Sequence, residues 1–190
     1  DITLVVSEHE RQVLAADAPG AKVEVVSNLH EVVGAGLPFA QRKDLVFVGG
    51  FRHPPNGDGV RWCVEAVPPL LRERLPEVVS HCIGSEPTAE IFALQQPGVV
   101  IHGHVANLDP AMQGIRIAVA PLRFGAGVKG KINLSMAHGQ PVVATSIAIE
   151  GMHLADGEDV LVADDATAFA EALLRLYQDE ALWNRLSANG

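Results

Sequence analysis

The chain has 190 residues, 48% of them hydrophobic and 19% charged, so it carries enough apolar mass for a buried core and is not a solvated, disordered segment. A formal net charge of −9 removes the basic surface that a nucleic-acid binder or an acidic-membrane binder needs. Aromatic residues make up only 5%; Val, Leu, Ala and Ile supply the apolar mass, as suits buried parallel strands.

Thr3–Val6 reads as a buried strand, and Ser7 as the N-cap of a helix over Glu8–Ala16. Lys22–Val26 is a second strand. Ser27 to Arg42 contains Gly and Pro without a clear period and reads as a linker. The strand–helix pattern then restarts. Leu45–Val48 is a strand ending in Gly49-Gly50, and helical pattern covers Val60–Leu75, interrupted at Pro68-Pro69. Strands follow at Val78–Ile83, Val99–Ile101 and Ile117–Ala120. Lys131–His138 is helical, Pro141–Ala144 and Val160–Val162 are strands, and helices over Thr167–Gln178 and Glu180–Ser187 close the chain. Such alternation predicts an α/β, Rossmann-like fold: a mainly parallel sheet with helices on both faces. Cys63 and Cys82 lie in apolar stretches and read as buried free thiols. No secretory leader or long apolar span is legible, so nothing in the sequence points to secretion or membrane crossing.

Ligands of open parallel sheets bind outside the carboxyl ends of the strands. The richest loop there is PLRFGAGVKGK, residues 121–131. Gly125, Gly127 and Gly130 let a backbone approach a ligand closely, and the following helix offers free N–H groups and the positive end of its dipole. Lys129 and Lys131 add point charges. The segment suits a phosphate or diphosphate; the alternative is a tight turn carrying two solvated lysines. It lacks the Gly-Lys-Ser/Thr end of a Walker loop. Gly49 and Gly50 allow a second close approach, with Arg52 and His53 within reach of an anion. Glu150, before Gly151, is a carboxylate that can accept from sugar or ribose hydroxyls, or simply a turn residue. His138 fits a helix C-terminus as a dipole partner. His102 and His104 are spaced for one strand face, but no Cys or Asp pair completes a metal set. No GxSxG elbow is present. Asp164-Asp165 reads as a helix-capping pair, and no Asp-x-Asp pair lies in a plausible donor loop, so neither metal nor cofactor is expected.

PLRFGAGVKGKINLSMAHGQPVVAT, residues 121–145, closely resembles the donor-site segment of group 1 (family four) glycosyltransferases: a Gly-rich loop, Lys, a helix ending in Met-Ala-x-Gly, then Pro-Val-Val-Ala-Thr. The resemblance extends outward through LVFVGGFRHPPNGDGVRW, CIGSEP, VVIHGHVANL and IEGMHLADGEDVLVADD. It implies one half of a two-domain GT-B fold. Residues 1–28 then form the tail of the N-terminal acceptor domain, 29–43 the linker, and 44–190 the C-terminal donor-nucleotide domain. On this basis the chain is a piece of a longer enzyme and is inactive by itself.

The implied activity is retaining transfer of a sugar from a nucleoside-diphosphate sugar to an acceptor hydroxyl on a glycan, lipid or small molecule. The implied location is the cytoplasm, with the other half of the enzyme able to meet the inner membrane face. The sequence departs from the family at the Glu–seven residues–Glu pair, whose positions hold Ala126 and Leu134. Ribose recognition then falls to Asn133, Ser135 or Glu150. Gly50 takes the position of a family Arg, and Pro55 or Asn56 that of a family Lys, with Arg52 as a substitute. Lys129 and Lys131 match basic positions of a family subset and are expected on the diphosphate. Two other readings stay open: a degenerate nucleotide-binding or interaction module without transferase activity, and a nucleotide-sugar epimerase-like enzyme.

Overall fold

A computed structural model describes residues 1–190. The chain forms two separate parallel sheets. The first is small: strand β1 (Thr3–Val5), helix α1 (Glu8–Asp17) and strand β2 (Val23–Val25). Ser7 caps α1 by accepting from the Glu10 N–H at 3.2 Å, while a Glu10 carboxylate oxygen accepts from the Val6 N–H at 2.9 Å. This is close to the reciprocal Ser-x-x-Glu box that satisfies orphan donors at a helix start.

The second sheet has six strands. In chain order its elements are β3 (Lys43–Val48), α2 (Pro54–Ala66), α3 (Pro68–Leu71), β4 (Ser80–Ile83), α4 (Ala89–Phe92), β5 (Val99–Gly103), α5 (Asp109–Gly114), β6 (Ile115–Ala120), α6 (Gly130–Ala137), β7 (Val142–Ala144), α7 (Ser146–Ile149), β8 (Leu161–Val162), α8 (Ala166–Gln178) and α9 (Glu180–Asn189). The strand order is β5-β4-β3-β6-β7-β8, with every pair parallel. Strands near the middle are apolar on both faces: Val46, Ile117, Ala120, Val143 and Ala144 are buried. Helices α6 and α8 both pack on β6 and β7. On α8 the buried Phe169, Ala170, Leu173 and Leu174 recur at helical spacing. Each fully buried Leu or Phe stabilises the fold by about 1.5–3 kcal/mol.

Three sequence expectations change. Thr3–Val5 is a strand, but Thr3 and Leu4 are exposed rather than buried. Helix α2 begins at Pro54, six residues before Val60, because prolines are tolerated in a first helical turn where no N–H is needed. Pro54, Pro55 and Asn56 therefore belong to a helix rather than to a loop. The 27–42 stretch holds only a short 3-10 turn over Phe39–Gln41, but it is not a loose linker. The Val33 and Gly34 N–H groups donate to the Ala137 carbonyl at 2.9 and 3.2 Å. The fully buried Arg42 guanidinium donates to the carbonyls of Leu37, Ala35, His138 and Ile115 at 2.6–3.2 Å, tying this segment to the ends of α6 and α5. The Cys63 and Cys82 thiols are free; burial raises both, that of Cys82 to about 12. No helix is long and apolar enough to cross a membrane.

Candidate functional site

The sheet's order reverses between β3 and β6: one run of crossovers goes outward through β4 and β5, the other through β7 and β8. A crevice opens at the carboxyl ends of strands at such a switch point, and ligands of this fold class bind there. The two loops that flank it are the glycine-rich ones, residues 49–53 after β3 and 121–129 after β6.

The loops after β3 and β4 are packed backbone to backbone. A β-carbon on Gly84 would overlap the Gly49 carbonyl oxygen, and one on Gly50 would lie 3.2 Å from Ser85 Oγ. Gly125 and Gly127 take φ of 120° and 77°, conformations that side chains disfavour. The buried Thr145 hydroxyl donates to the Leu122 carbonyl and accepts from the Ala148 N–H at 3.2 Å. The Pro-Val-Val-Ala-Thr run thereby anchors the base of the 121–129 loop.

Helix α6 starts at Gly130 with Lys129 in the cap position and no side chain on its first-turn N–H groups. Five other helices, α1, α4, α7, α8 and α9, are capped by Ser7, Thr88, Thr145, Asp165 and Asp179. In α6 the Ile132 N–H donates to the Lys129 carbonyl at 2.9 Å, and no side chain caps the helix start.

Both lysines of the loop are turned inward. Lys129 is buried, and its Nζ donates to the carbonyls of Gly125, at 3.2 Å, and Gly127. Burial lowers its pKa, and the Glu150 carboxylate opposes that shift. Lys131 Nζ donates to Asn56 Oδ1 at 2.8 Å and lies 5.4 Å from the centre of the Phe47 ring. Burial, reinforced by the Lys129 charge, brings it down to about 8. Neither ammonium has a carboxylate within 4.0 Å. The two ammoniums, one buried and one partly buried, stand near a helix start with no carboxylate partner. The bland alternative, two solvated lysines, does not describe them.

Other expected residues are placed differently. Arg52 is exposed and paired with Glu86 in the loop after β4, so it does not stand over the crevice as a free cation. The Ser135 side chain is buried and its hydroxyl donates to the Lys131 carbonyl at 2.9 Å; it is spent on its own helix and is not offered to a ribose. Asn133 lines a crevice of about 310 Å³ together with Val6, Ser7, Ser27, Gly151 and His153. That crevice joins the carboxyl ends of the small sheet to the large one. Glu150 is exposed at the end of α7.

His102 pairs with His81, at 2.8 Å between Nε2 and Nδ1, rather than with His104. His138 is buried, with Nδ1 at 2.9 Å from the Leu134 carbonyl and Nε2 at 3.1 Å from Asp109. Asp165 caps α8 as expected, whereas Asp164 accepts from the N–H and hydroxyl of Ser146.

Glu10 was not legible from the sequence, and Asn56, aligned there with a family Lys, falls there in a loop. Glu10 presents its second carboxylate oxygen to the Gly127 position, 3.4 Å from where a β-carbon would stand. Its proximity depends on how the small sheet docks, which no local pattern encodes. Asn56 reads as a loop residue in the sequence; the Pro-Pro pair before it was the available signal for a helix start.

The fold is a Rossmann-like α/β domain with a parallel six-stranded sheet. Residues 42–179 match the family model described as glycosyl transferases group 1. The chain belongs to that family. It is 29% identical over 140 residues to an uncharacterized 44.6 kDa protein in the cps region of Klebsiella pneumoniae, an alignment covering 69% of this chain and 36% of that protein. Among solved structures it is similar to S. aureus TarM, as a point mutant in complex with fondaparinux, alpha-GlcNAc-glycerol and UDP. The TM-score is 0.82 at 15% identity over 97% of this chain and 38% of TarM. It is also similar to sucrose-phosphate synthase from Thermosynechococcus elongatus, with a TM-score of 0.74 at 19% identity over all of this chain and 52% of that one. The fold is that of one half of a GT-B glycosyltransferase. The chain spans little more than a third of the curated relative it matches.

Proposed function

We propose that the 44–190 unit is the donor half of a retaining glycosyltransferase that uses a nucleoside-diphosphate sugar, and that residues 1–28 belong to the acceptor-side domain. One observation carries this reading: the paired, carboxylate-free ammoniums of Lys129 and Lys131 sit beside the uncapped start of α6, at the sheet's switch point. When the bond between the sugar's anomeric carbon and the diphosphate breaks, the electron pair stays on the diphosphate. Fixed cations and oriented N–H groups stabilise that charge without reorganising. Lys129 and Lys131 supply the charge, and Gly125 and Gly127 the close approach. The carboxylate oxygens of Glu10 and Glu150 and the amide of Asn133 meet hydroxyls of the sugar or ribose. With two lysines on the diphosphate, the reaction needs no divalent metal; chelation should leave turnover unchanged.

TarM held UDP in its complex, in keeping with a nucleotide donor here. Screening the full-length protein against a panel of nucleotide sugars tests the reading. Transfer from one of them, with none by residues 1–190 alone, is the expected result. Ala126 and Leu134, apolar where many family members carry glutamates, favour a second reading as a nucleotide-binding module without transfer. Tight nucleotide binding with no turnover across the panel would select it.

A further inference from the structure

We infer that Asn56 is the positioning residue of the anion site, aiming the Lys131 ammonium into the crevice and locking the Gly49-Gly50 loop beside it. The inference rests on the reading of Lys131 as a diphosphate ligand. Asn56 lies in the first turn of α2 with only 4% of its surface exposed. Its side-chain amide bridges two elements: Nδ2 donates to the Gly50 carbonyl at 2.7 Å, and Oδ1 accepts from Lys131 Nζ at 2.8 Å. The chemistry permits one orientation. An ammonium has only donors to offer and a carbonyl only an acceptor, so flipping the amide would break both bonds.

The packing is equally constrained. A β-carbon on Gly49 would stand 2.9 Å from Asn56 Nδ2, so the amide packs directly against the glycine backbone. Asn56 itself is fixed by the turn of α2, where its N–H donates to the His53 carbonyl at 3.0 Å.

A neutral partner matters as much as a well-placed one. A carboxylate at position 56 would neutralise Lys131 and oppose an incoming diphosphate; an apolar residue would leave the ammonium without a fixed direction. The amide accepts one hydrogen bond and leaves the positive charge uncompensated, with burial holding the ammonium near its titration midpoint. Oxygens of a diphosphate can then take the remaining two N–H donors, and their negative charge restores the full proton occupancy of Lys131.

The probe is inorganic pyrophosphate, which has no base or sugar to confuse the reading. Calorimetry on the full-length protein should be run with wild type, Asn56→Asp, Asn56→Ala and Lys131→Ala, in two buffers of different ionisation enthalpy near pH 8. Wild type should bind with proton uptake. Asn56→Asp should weaken pyrophosphate roughly tenfold or more and abolish the uptake, because the new carboxylate keeps Lys131 protonated beforehand. Asn56→Ala should weaken binding while retaining uptake. The Lys131 titration followed by NMR should move upward in Asn56→Asp, a change that loss of packing alone does not produce. If Lys131→Ala weakens pyrophosphate but both Asn56 variants bind like wild type with unaltered uptake, the positioning role is overturned while the anion site stands. If wild type fails to bind pyrophosphate, or Lys131→Ala changes nothing, the anion site falls and this inference with it.

Discussion

Gly59, in the second turn of α2, lies so close to Pro121 that a β-carbon on it would stand 2.6 Å from the Pro121 carbonyl oxygen. The helix after β3 and the loop after β6 therefore meet backbone to backbone at the crevice floor. An alanine in place of glycine normally strengthens a helix by about 1 kcal/mol. Here the contact is with a backbone atom that cannot swing away, and overpacking costs about 1–3 kcal/mol. Gly59→Ala should therefore lower the urea midpoint rather than raise it. A more stable variant would show that α2 and the loop are not held together in this way.

Lys131 gives donor binding a pH dependence. Its folded pKa, about 8, lies below the ordinary lysine value of 10.5. A diphosphate favours the charged form, so affinity should be full below pH 8 and decline as pH rises through it. The sign for stability is the reverse. The depressed pKa favours the folded state above 10.5, and that contribution is lost as pH falls through 8. Titrating a nucleoside diphosphate at about pH 7 and about pH 9 checks the first; a pH-independent affinity in wild type would remove Lys131 from the site.

The His81–His102 pair makes a separate prediction. Burial and the neighbouring His81 lower the His102 pKa below 6.5. The folded state therefore holds fewer protons than the unfolded one just below pH 6.5. Stability is present above that value and is lost as pH falls through the folded pKa. Protonating both rings also leaves no acceptor for the 2.8 Å bond. Urea midpoints should fall as pH drops below 6.5. His102→Asn should flatten that slope, and an unaltered slope would contradict the assignment.

Much of the architecture was readable because local signals agreed with it. The apolar runs Leu45–Val48 and Ile117–Ala120 are central strands, and Ser7 and Asp165 cap helices where expected. The start of α2 was misplaced because Gly57 and Gly59 are poor helix formers; tertiary packing overrides that preference. The glycine-rich loop with Lys129 and Lys131 was legible as a sequence feature, but the turn of the two ammoniums onto Gly125, Gly127 and Asn56 was not. Arg52 and Ser135 were not placed correctly, since their partners, Glu86 and the Lys131 carbonyl, are set by loop packing and helix phase. The contact of Glu10 with the Gly127 position joins residues far apart in the chain, and no periodicity carries it.

The central claim, that this crevice holds a diphosphate, is tested most directly by calorimetry on the full-length protein with Lys129→Ala and Lys131→Ala. The ligands are a nucleoside diphosphate and the matching nucleoside. Each substitution should weaken the diphosphate by about 1.5–3 kcal/mol, one to two powers of ten, and leave the nucleoside nearly unchanged. Unchanged affinity for both ligands, or equal loss for both, would contradict it.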